Sequence, residues 1–234
     1  MQKIVVLTGA GISAESGIRT FRDSDGLWEN HRIEDVATPE AWIKHPSLVL
    51  QFYNERRAQL LTTAPNDGHR EIAAWEKDFD VSVITQNVDD LHERAGSSHV
   101  LHLHGELLKV RSTGKESLVY PWEKDLHLDD FCENGFPLRP HIVWFGEAVP
   151  MLEEAAEIAQ TADIFIIIGT SLQVYPAAGL MRYAPPDIPY FCVDPRPQIS
   201  GELELLRRLT VVAEPASTGV KKVTEALQQA LHSA

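Results

Sequence analysis

Cysteine is nearly absent from this chain: Cys132 and Cys192 are the only two in 234 residues. Two thiols cannot build a disulfide framework, so the fold is expected to rest on a packed core. Long apolar runs are missing too. The longest strongly apolar run, Ile164 to Ile168, suits a buried strand and is far too short to span a bilayer. The N-terminus carries one lysine and four consecutive apolar residues, which does not make a secretory signal. Basic residues are outnumbered, 21 Lys and Arg against 34 Asp and Glu, for a net charge of −13. That balance argues against a general nucleic-acid binder. An acidic surface can steer lysine-bearing protein partners, or it can simply keep the chain in solution. Internal repeats, heptads and low-complexity tracts are lacking as well. These absences favour a cytoplasmic protein with no membrane segment, expected to act as a monomer.

The apolar fraction of 44% and the charged fraction of 24% are ordinary for a globular protein. The length suits one large domain or a domain with a smaller lobe. Strands are expected at about 4–7, 81–85, 100–103, 141–145, 163–168, 190–193 and 209–213. Several are continuous Val- and Ile-rich runs, as in strands buried on both faces of a parallel sheet. Helical patterns fall between them at about 47–61, 68–77, 151–160, 177–183 and 218–232. This alternation predicts an α/β fold with a doubly wound parallel sheet. Two stretches break the alternation: about 30–64, and the polar, irregular 107–139. They are expected to form a second, smaller lobe, leaving 1–29, 65–106 and 140–234 to the large one.

The most informative stretch runs from Gly9 to Arg22. The apolar strand at Ile4–Leu7 leads into two glycines, Gly9 and Gly11. Such a loop can bring backbone amides to a phosphate, or it can be a tight strand-to-helix turn. Arg19 and Arg22 could pair with phosphate or with a loop carboxylate. The second strand and acidic residue of the usual dinucleotide fingerprint do not follow where they are due. Gln86, Asn87 and Asp89 come directly after a buried strand, at the sheet edge where ligands bind in open α/β folds. Asn and Asp also cap turns at such places. His102 and His104 lie two apart in a strand pattern and so share a face. A metal would need a third ligand, and none follows with convincing spacing.

Taken in order, Gly9–Arg22, Thr85–His92, His102–Glu106, Val143–Glu147 and Gly169–Ser171 resemble the sirtuin family of NAD-dependent protein lysine deacylases. The resemblance runs from Val5 to about Ser217. It implies a Rossmann-like NAD lobe with a cofactor set of Gly9, Ala10, Gly11, Ile12, Ser13, Glu15, Arg19, Thr20, Phe21, Arg22, Trp28, Gln86, Asn87, Val88, Asp89, Gly169, Thr170, Ser171, Cys192, Val193, Asp194 and Ala216. Within that set, Phe21 would shield the reactive sugar from water, Asn87 would hold ribose and an ordered water, and Asp89 would receive the nicotinamide amide. Ala216 would meet the adenine. His104 is the implied general base, suited by an ordinary pKa near ~6.5. His102 is expected to be a structural neighbour. In the family reaction the acyl oxygen attacks the anomeric carbon and nicotinamide leaves. The products are free lysine, nicotinamide and O-acyl-ADP-ribose. Val143, Phe145 and Gly146 match the lining of the acyl-lysine tunnel. Leu172, Val174 and Tyr175 match an edge that pairs with substrate backbone.

Tyr53 and Arg56 are three apart in a helical pattern and share a face. They resemble the pair with which class III sirtuins bind succinyl- and malonyl-lysine. Ala37 matches the small residue that widens their acyl pocket. An exposed helix with a solvated arginine would give the same spacing. Two departures stand out. Most sirtuins bind a structural zinc through two cysteine pairs, but 107–139 contains only Cys132. No structural zinc is therefore expected, and Leu118, Val119, Tyr120, Trp122, Leu126, Leu128 and Phe131 are the candidates to pack the lobe instead. Cys192 stands where many sirtuins place Asn, and reads as a small buried hydrophobe. The competing functions are NAD hydrolysis or ADP-ribosyl transfer, and a non-catalytic NAD-binding module; a dehydrogenase comes last.

Overall fold

The computed structural model describes residues 1–18, 27–28, 31–199, 201 and 203–232, with the backbone alone at 27, 28 and 232. In chain order the strands are β1 (Lys3–Thr8), β2 (Leu27–Trp28), β3 (His31–Arg32), β4 (Asp80–Thr85), β5 (Val100–His102), β6 (Gly105–Ser112), β7 (Val119–Pro121), β8 (Leu138–Ile142), β9 (Ile164–Ile168), β10 (Tyr190–Val193) and β11 (Leu209–Val212). The α-helices are α1 (Ile33–Val36), α2 (Pro39–Lys44), α3 (Pro46–Thr62), α4 (Asp67–Ala74), α5 (Leu91–Ala95), α6 (Leu152–Gln160) and α7 (Ala216–His232).

Six strands form one sheet in the order β11-β10-β9-β1-β4-β5, and every neighbouring pair is parallel. Because side chains alternate along a strand, the Ile- and Val-rich runs feed two apolar layers. One layer packs Ile4, Val6, Val83 and Ile166 against α4 and α7, through Ile72, Val220 and Val223. The other packs Val5, Leu7, Phe165 and Cys192 against α6 and a 3-10 helix over Ala177–Arg182. The chain runs from β1 outward to β5, then returns to β9 on the other side of β1. The carboxyl ends of β1 and β9 therefore flank a topological switch point, where ligands bind in such sheets.

A second, antiparallel sheet has the order β7-β6-β8, and β2 pairs with β3. This corrects two expectations. The apolar run at 141–145 is not a strand of the parallel sheet; the strand there is β8, shifted toward the N-terminus and antiparallel to β6. Pro140 sits within β8, which is an edge strand, where a missing N–H is tolerated. The segment 107–139 is not wholly irregular either, since it holds most of β6 and all of β7. A register shift between Gly105 and Val110 breaks the period-two pattern that would have revealed β6. The helix expected at 177–183 is 3-10, and α1, α2 and α5 are too short for periodicity to reveal.

A third apolar cluster joins Val36, Ala37, Phe52, Tyr53, Leu107 and Trp144 beneath α3. A fourth fills the small sheet with Leu50, Val110, Leu126, Cys132 and Leu138, against which Leu118, Tyr120 and Trp122 pack. Leu128 and Phe131, expected in that core, are instead 52% and 55% exposed. The Cys132 thiol donates to Ser112 Oγ at 3.3 Å. Among the described residues, no group of three or more His, Cys, Asp or Glu is placed to hold a metal ion. No helix there is long and apolar enough to cross a membrane.

Candidate active site

The loop after β1 meets the loop after β9 at backbone distance. The Gly9 amide donates to the Ile168 carbonyl at 3.1 Å and the Gly11 amide to the Gly169 carbonyl at 2.8 Å. A Cβ on Gly11 would lie 2.6 Å from Gly169 Cα, and one on Gly169, where φ is +62°, would lie 2.3 Å from Ile12 N. The glycines are thus required for the crossing itself. The amides of Ile12 and Ser13 also bond within the turn, to the Gly9 and Ala10 carbonyls. This geometry meets the tight-turn reading. The amides of Gly9, Gly11, Ile12 and Ser13 are engaged inside the protein, so these four bonds hold the shape of the loop.

Beneath the crossing lies a buried polar floor. Asn87 Nδ2 donates to Ser13 Oγ at 3.1 Å, and the Ser13 hydroxyl donates to Asp89 Oδ2 at 3.0 Å. The Leu91 amide donates to the other Asp89 oxygen at 3.2 Å. Burial pushes the Asp89 carboxyl up to about 6, while the bonds from Leu91 and Ser13 oppose that rise. Thr8 donates to Thr85 at 2.8 Å, and the Asn87 amide donates to the same Thr85 oxygen at 3.0 Å. His92 Nε2 lies 3.1 Å from Thr8 Oγ1, and His69 Nε2 lies 3.4 Å from Ser13 Oγ. Both histidines are held below their ordinary pKa, chiefly by burial. Sequence reasoning missed Thr8, His69, Thr85 and His92. The signal for the threonines was there: each is the last residue of its strand, directly after two buried apolar residues.

His102 and His104 take different partners. His104 Nδ1 lies 3.0 Å from the Gln86 carbonyl. A carbonyl can only accept, so Nδ1 carries the proton and Nε2 keeps its lone pair. Burial lowers the His104 pKa, and the Gln86 bond only partly opposes this. The ring is therefore a neutral base near pH 7. His102 Nδ1 faces the Asn87 carbonyl at 3.0 Å, and its Nε2 faces Glu93 Oε1 at 2.7 Å. Burial lowers its pKa, but Glu93 outweighs burial and the net shift is upward. With its two ring nitrogens on Asn87 and Glu93, His102 clamps the Asn87 loop to α5.

The remaining expected residues fall around this edge. Gln86 Nε2 donates to Thr170 Oγ1 at 3.0 Å, and so does the Leu172 amide at 3.2 Å. Leu172 is held at φ +54°. Glu15 accepts from the amide and hydroxyl of Ser217, at 2.9 and 2.6 Å, at the start of α7. Ala216 is buried against Gly68. Asp194 is buried and accepts the Arg196 amide at 2.8 Å. Cys192 and Val193 lie in opposite apolar layers of the sheet. Tyr175 is 64% exposed. Arg19, Thr20, Phe21 and Arg22 lie outside the described residues, and of Trp28 only the backbone, in β2, is described.

The segment after β8 joins two parts of the site. The Val143 amide donates to the His104 carbonyl at 2.9 Å, and the Phe145 amide donates to the Ala37 carbonyl at 3.0 Å. Tyr53 is fully buried and Arg56 is 8% exposed, so the exposed-helix reading of this pair fails. The Arg56 guanidinium sits over the Phe52 ring at 5.2 Å.

A model of the Sir2 family matches residues 9–176. The chain belongs to the Sir2 family. It is 59% identical over 196 residues to an NAD-dependent protein deacylase of Helicobacter pylori, an alignment covering 84% of this chain and 86% of that one. A crystal structure of a Sir2 homologue–NAD complex is 37% identical, with a TM-score of 0.83, covering 98% of this chain and 90% of that one. A Sir2 enzyme solved with a deacetylated p53 peptide and 3'-O-acetyl ADP ribose is 31% identical, with a TM-score of 0.79, covering 95% of this chain and 92% of that one.

Proposed function

We propose that His104 is the general base of this Sir2 enzyme and that the loops around the switch point hold its cofactor. The protein is an NAD-dependent protein lysine deacylase, releasing nicotinamide and O-acyl-ADP-ribose. The observation that carries the assignment is the His104–Gln86 bond, which leaves the neutral Nε2 as a proton acceptor at the sheet edge. The donor set suits the cofactor: Gln86, Asn87, Thr170 and the Asp89 carboxylate offer the amides, hydroxyls and acceptor that ribose hydroxyls and a carboxamide need. NAD, when bound, supplies an electrophilic ribose carbon and nicotinamide as the leaving group.

In this reading Asn87 and Gln86 orient the ribose, and Asp89 accepts from the nicotinamide amide. His104 Nε2 takes a proton from a ribose hydroxyl. Gly9, Ala10, Gly11, Ile12, Ser13, Glu15, Arg19, Thr20, Arg22, Trp28 and Val88 surround the phosphates and ribose. Phe21 excludes water. Gly169, Thr170, Ser171, Cys192, Val193, Asp194 and Ala216 hold the adenosine half. Val143, Phe145 and Gly146 line the acyl-lysine tunnel, and Leu172, Val174 and Tyr175 pair with the substrate backbone.

The acyl range extends to succinyl and malonyl groups, with Ala37 giving room and Tyr53 and Arg56 receiving the carboxylate. What supports this is the placement of Arg56 and Tyr53, a guanidinium and a phenol three residues apart on one helix face and both buried. The two-lobe division at about 30–64 and 107–139 belongs to the same reading, as do a cytoplasmic monomer and the absence of nucleic-acid partners. The net charge of −13 supports the last of these.

The test is nicotinamide release from NAD with no peptide, with an acetyl-lysine peptide and with a succinyl-lysine peptide, following peptide masses in parallel. Release that requires peptide and matches deacylation is expected. Release without peptide would assign hydrolysis or ADP-ribosyl transfer instead.

A further inference from the structure

One buried contact beside the acyl residues belongs to none of the roles above. Trp144 is 2% exposed, and its indole Nε1–H donates to the Tyr53 hydroxyl oxygen at 3.0 Å. An indole N–H can only donate, so the phenol is the acceptor in this bond and its own proton points elsewhere. The indole is itself held on several sides. The Arg139 guanidinium lies over its ring, 3.4 Å from the centroid. Arg139 pairs with both Glu147 oxygens, at 2.7 and 3.2 Å, and the Trp144 backbone amide donates to Glu147 at 2.8 Å. Trp42 packs beside it with ring centroids 5.8 Å apart. Arg111 also reaches Glu147, at 3.4 Å, so two guanidiniums share one carboxylate and leave net positive charge behind the indole.

We propose that Trp144, held by Arg139 and Glu147, is a specificity-positioning residue: its N–H fixes the Tyr53 hydroxyl as a donor to the carboxylate of an acidic acyl group. The inference rests on the acidic-acyl reading of Tyr53 and Arg56. Burial raises the Tyr53 pKa against the opposing bond from Trp144, so the phenol keeps its proton. An acetyl group has no carboxylate to accept that proton. Losing the indole N–H should therefore register on succinyl-lysine far more than on acetyl-lysine.

The experiment removes the indole N–H in two ways: by Trp144→Phe, which also takes away one ring, and by site-specific incorporation of benzothienylalanine, a tryptophan isostere with sulfur in place of N–H that changes little else. Steady-state kinetics on matched acetyl- and succinyl-lysine peptides give the ratio of the two kcat/KM values. The expected result is a fall in the succinyl-to-acetyl ratio of about five- to tenfold, the net worth of one hydrogen bond, carried mainly by KM for the succinyl peptide. In a Tyr53→Phe background the same replacement should change the ratio no further. The isostere keeps the core filled, so it decides the matter if Trp144→Phe does not fold. An equal loss on both peptides, or a loss that persists without the Tyr53 hydroxyl, overturns the role of Trp144. If Tyr53→Phe and Arg56→Met also leave the ratio unmoved, the acidic-acyl reading falls and this inference falls with it.

Discussion

The Val143 amide donates to the carbonyl of His104 at 2.9 Å, so the proposed base and the segment proposed to line the acyl tunnel are tied by the backbone itself. The same bond explains why β5 needs no helix after it to fix His104. The residue is held by its ring through Gln86 and by its carbonyl through Val143. His104→Ala removes the ring and leaves the backbone tie. Deacylation should fall by at least ~10²-fold, while NAD binding, read by calorimetry, persists. Full turnover in this variant would remove His104 from the mechanism.

The pH profile follows from the same ring. A general base works only when neutral, and burial holds the His104 pKa below the ordinary ~6.5. The acid limb of kcat/KM should therefore lie below pH ~6.5 and level off above it. A limb displaced above 7 would contradict this environment for the base.

Arg56 is expected to separate the two acyl classes. Arg56→Met keeps an apolar stem of similar length and removes the charge. Desuccinylation should drop by ~10²-fold or more, with a far smaller change on acetyl-lysine. Mass spectrometry of paired peptides reads both at once, and equal losses would defeat the specificity assignment.

Glu147 holds Arg139, Arg111 and the Trp144 amide together in a largely buried setting. Glu147→Ala leaves two guanidiniums without their carboxylate and should destabilise the fold by about 3–5 kcal/mol in a denaturant melt. Burial alone would raise the Glu147 pKa, but the bonds from Arg139 and Trp144 bring it below the ordinary value. This stabilisation is thus present above the unfolded carboxyl's pKa, and is lost as pH falls through the lower folded one. A variant as stable as the parent at pH 7 would rule out this role.

The small sheet should need no metal. Its core is Leu50, Val110, Leu126, Cys132 and Leu138, so prolonged chelation should leave the melting temperature unchanged. One tightly bound zinc per chain by elemental analysis, or a melting temperature lowered by chelator, would contradict that packing.

Much of the parallel sheet was legible because its central strands β1 and β9 carry unbroken apolar runs, Ile4–Leu7 and Ile164–Ile168, whose burial on both faces erases alternation. β6 and β8 were not, since a register shift and Pro140 each disrupt the local pattern that marks a strand. At the site, the residues at strand ends could be picked out from their position. Residues whose part depends on three-dimensional meeting could not. His69 reaches Ser13 across 56 positions, and Trp144 reaches Tyr53 across 91. No spacing rule joins such pairs. The two glycines drew attention as a phosphate cradle, and both also pack against the loop after β9: a Cβ on Gly11 would meet Gly169 Cα at 2.6 Å and one on Gly9 would meet Thr170 Cβ at 2.8 Å.

The order of strands also sets a timetable for synthesis. β1 is made first, but one of its two neighbours is β9, and the Lys3 amide bonds to Asp163 across 160 positions. Until β9 has left the ribosome, β1 has one bare edge and Gly11 has no partner to cross. Contacts this distant in sequence slow folding and leave hydrophobic strand edges uncovered meanwhile. A nascent chain stalled before β9 should therefore be a good client for a chaperone that recognises extended apolar segments.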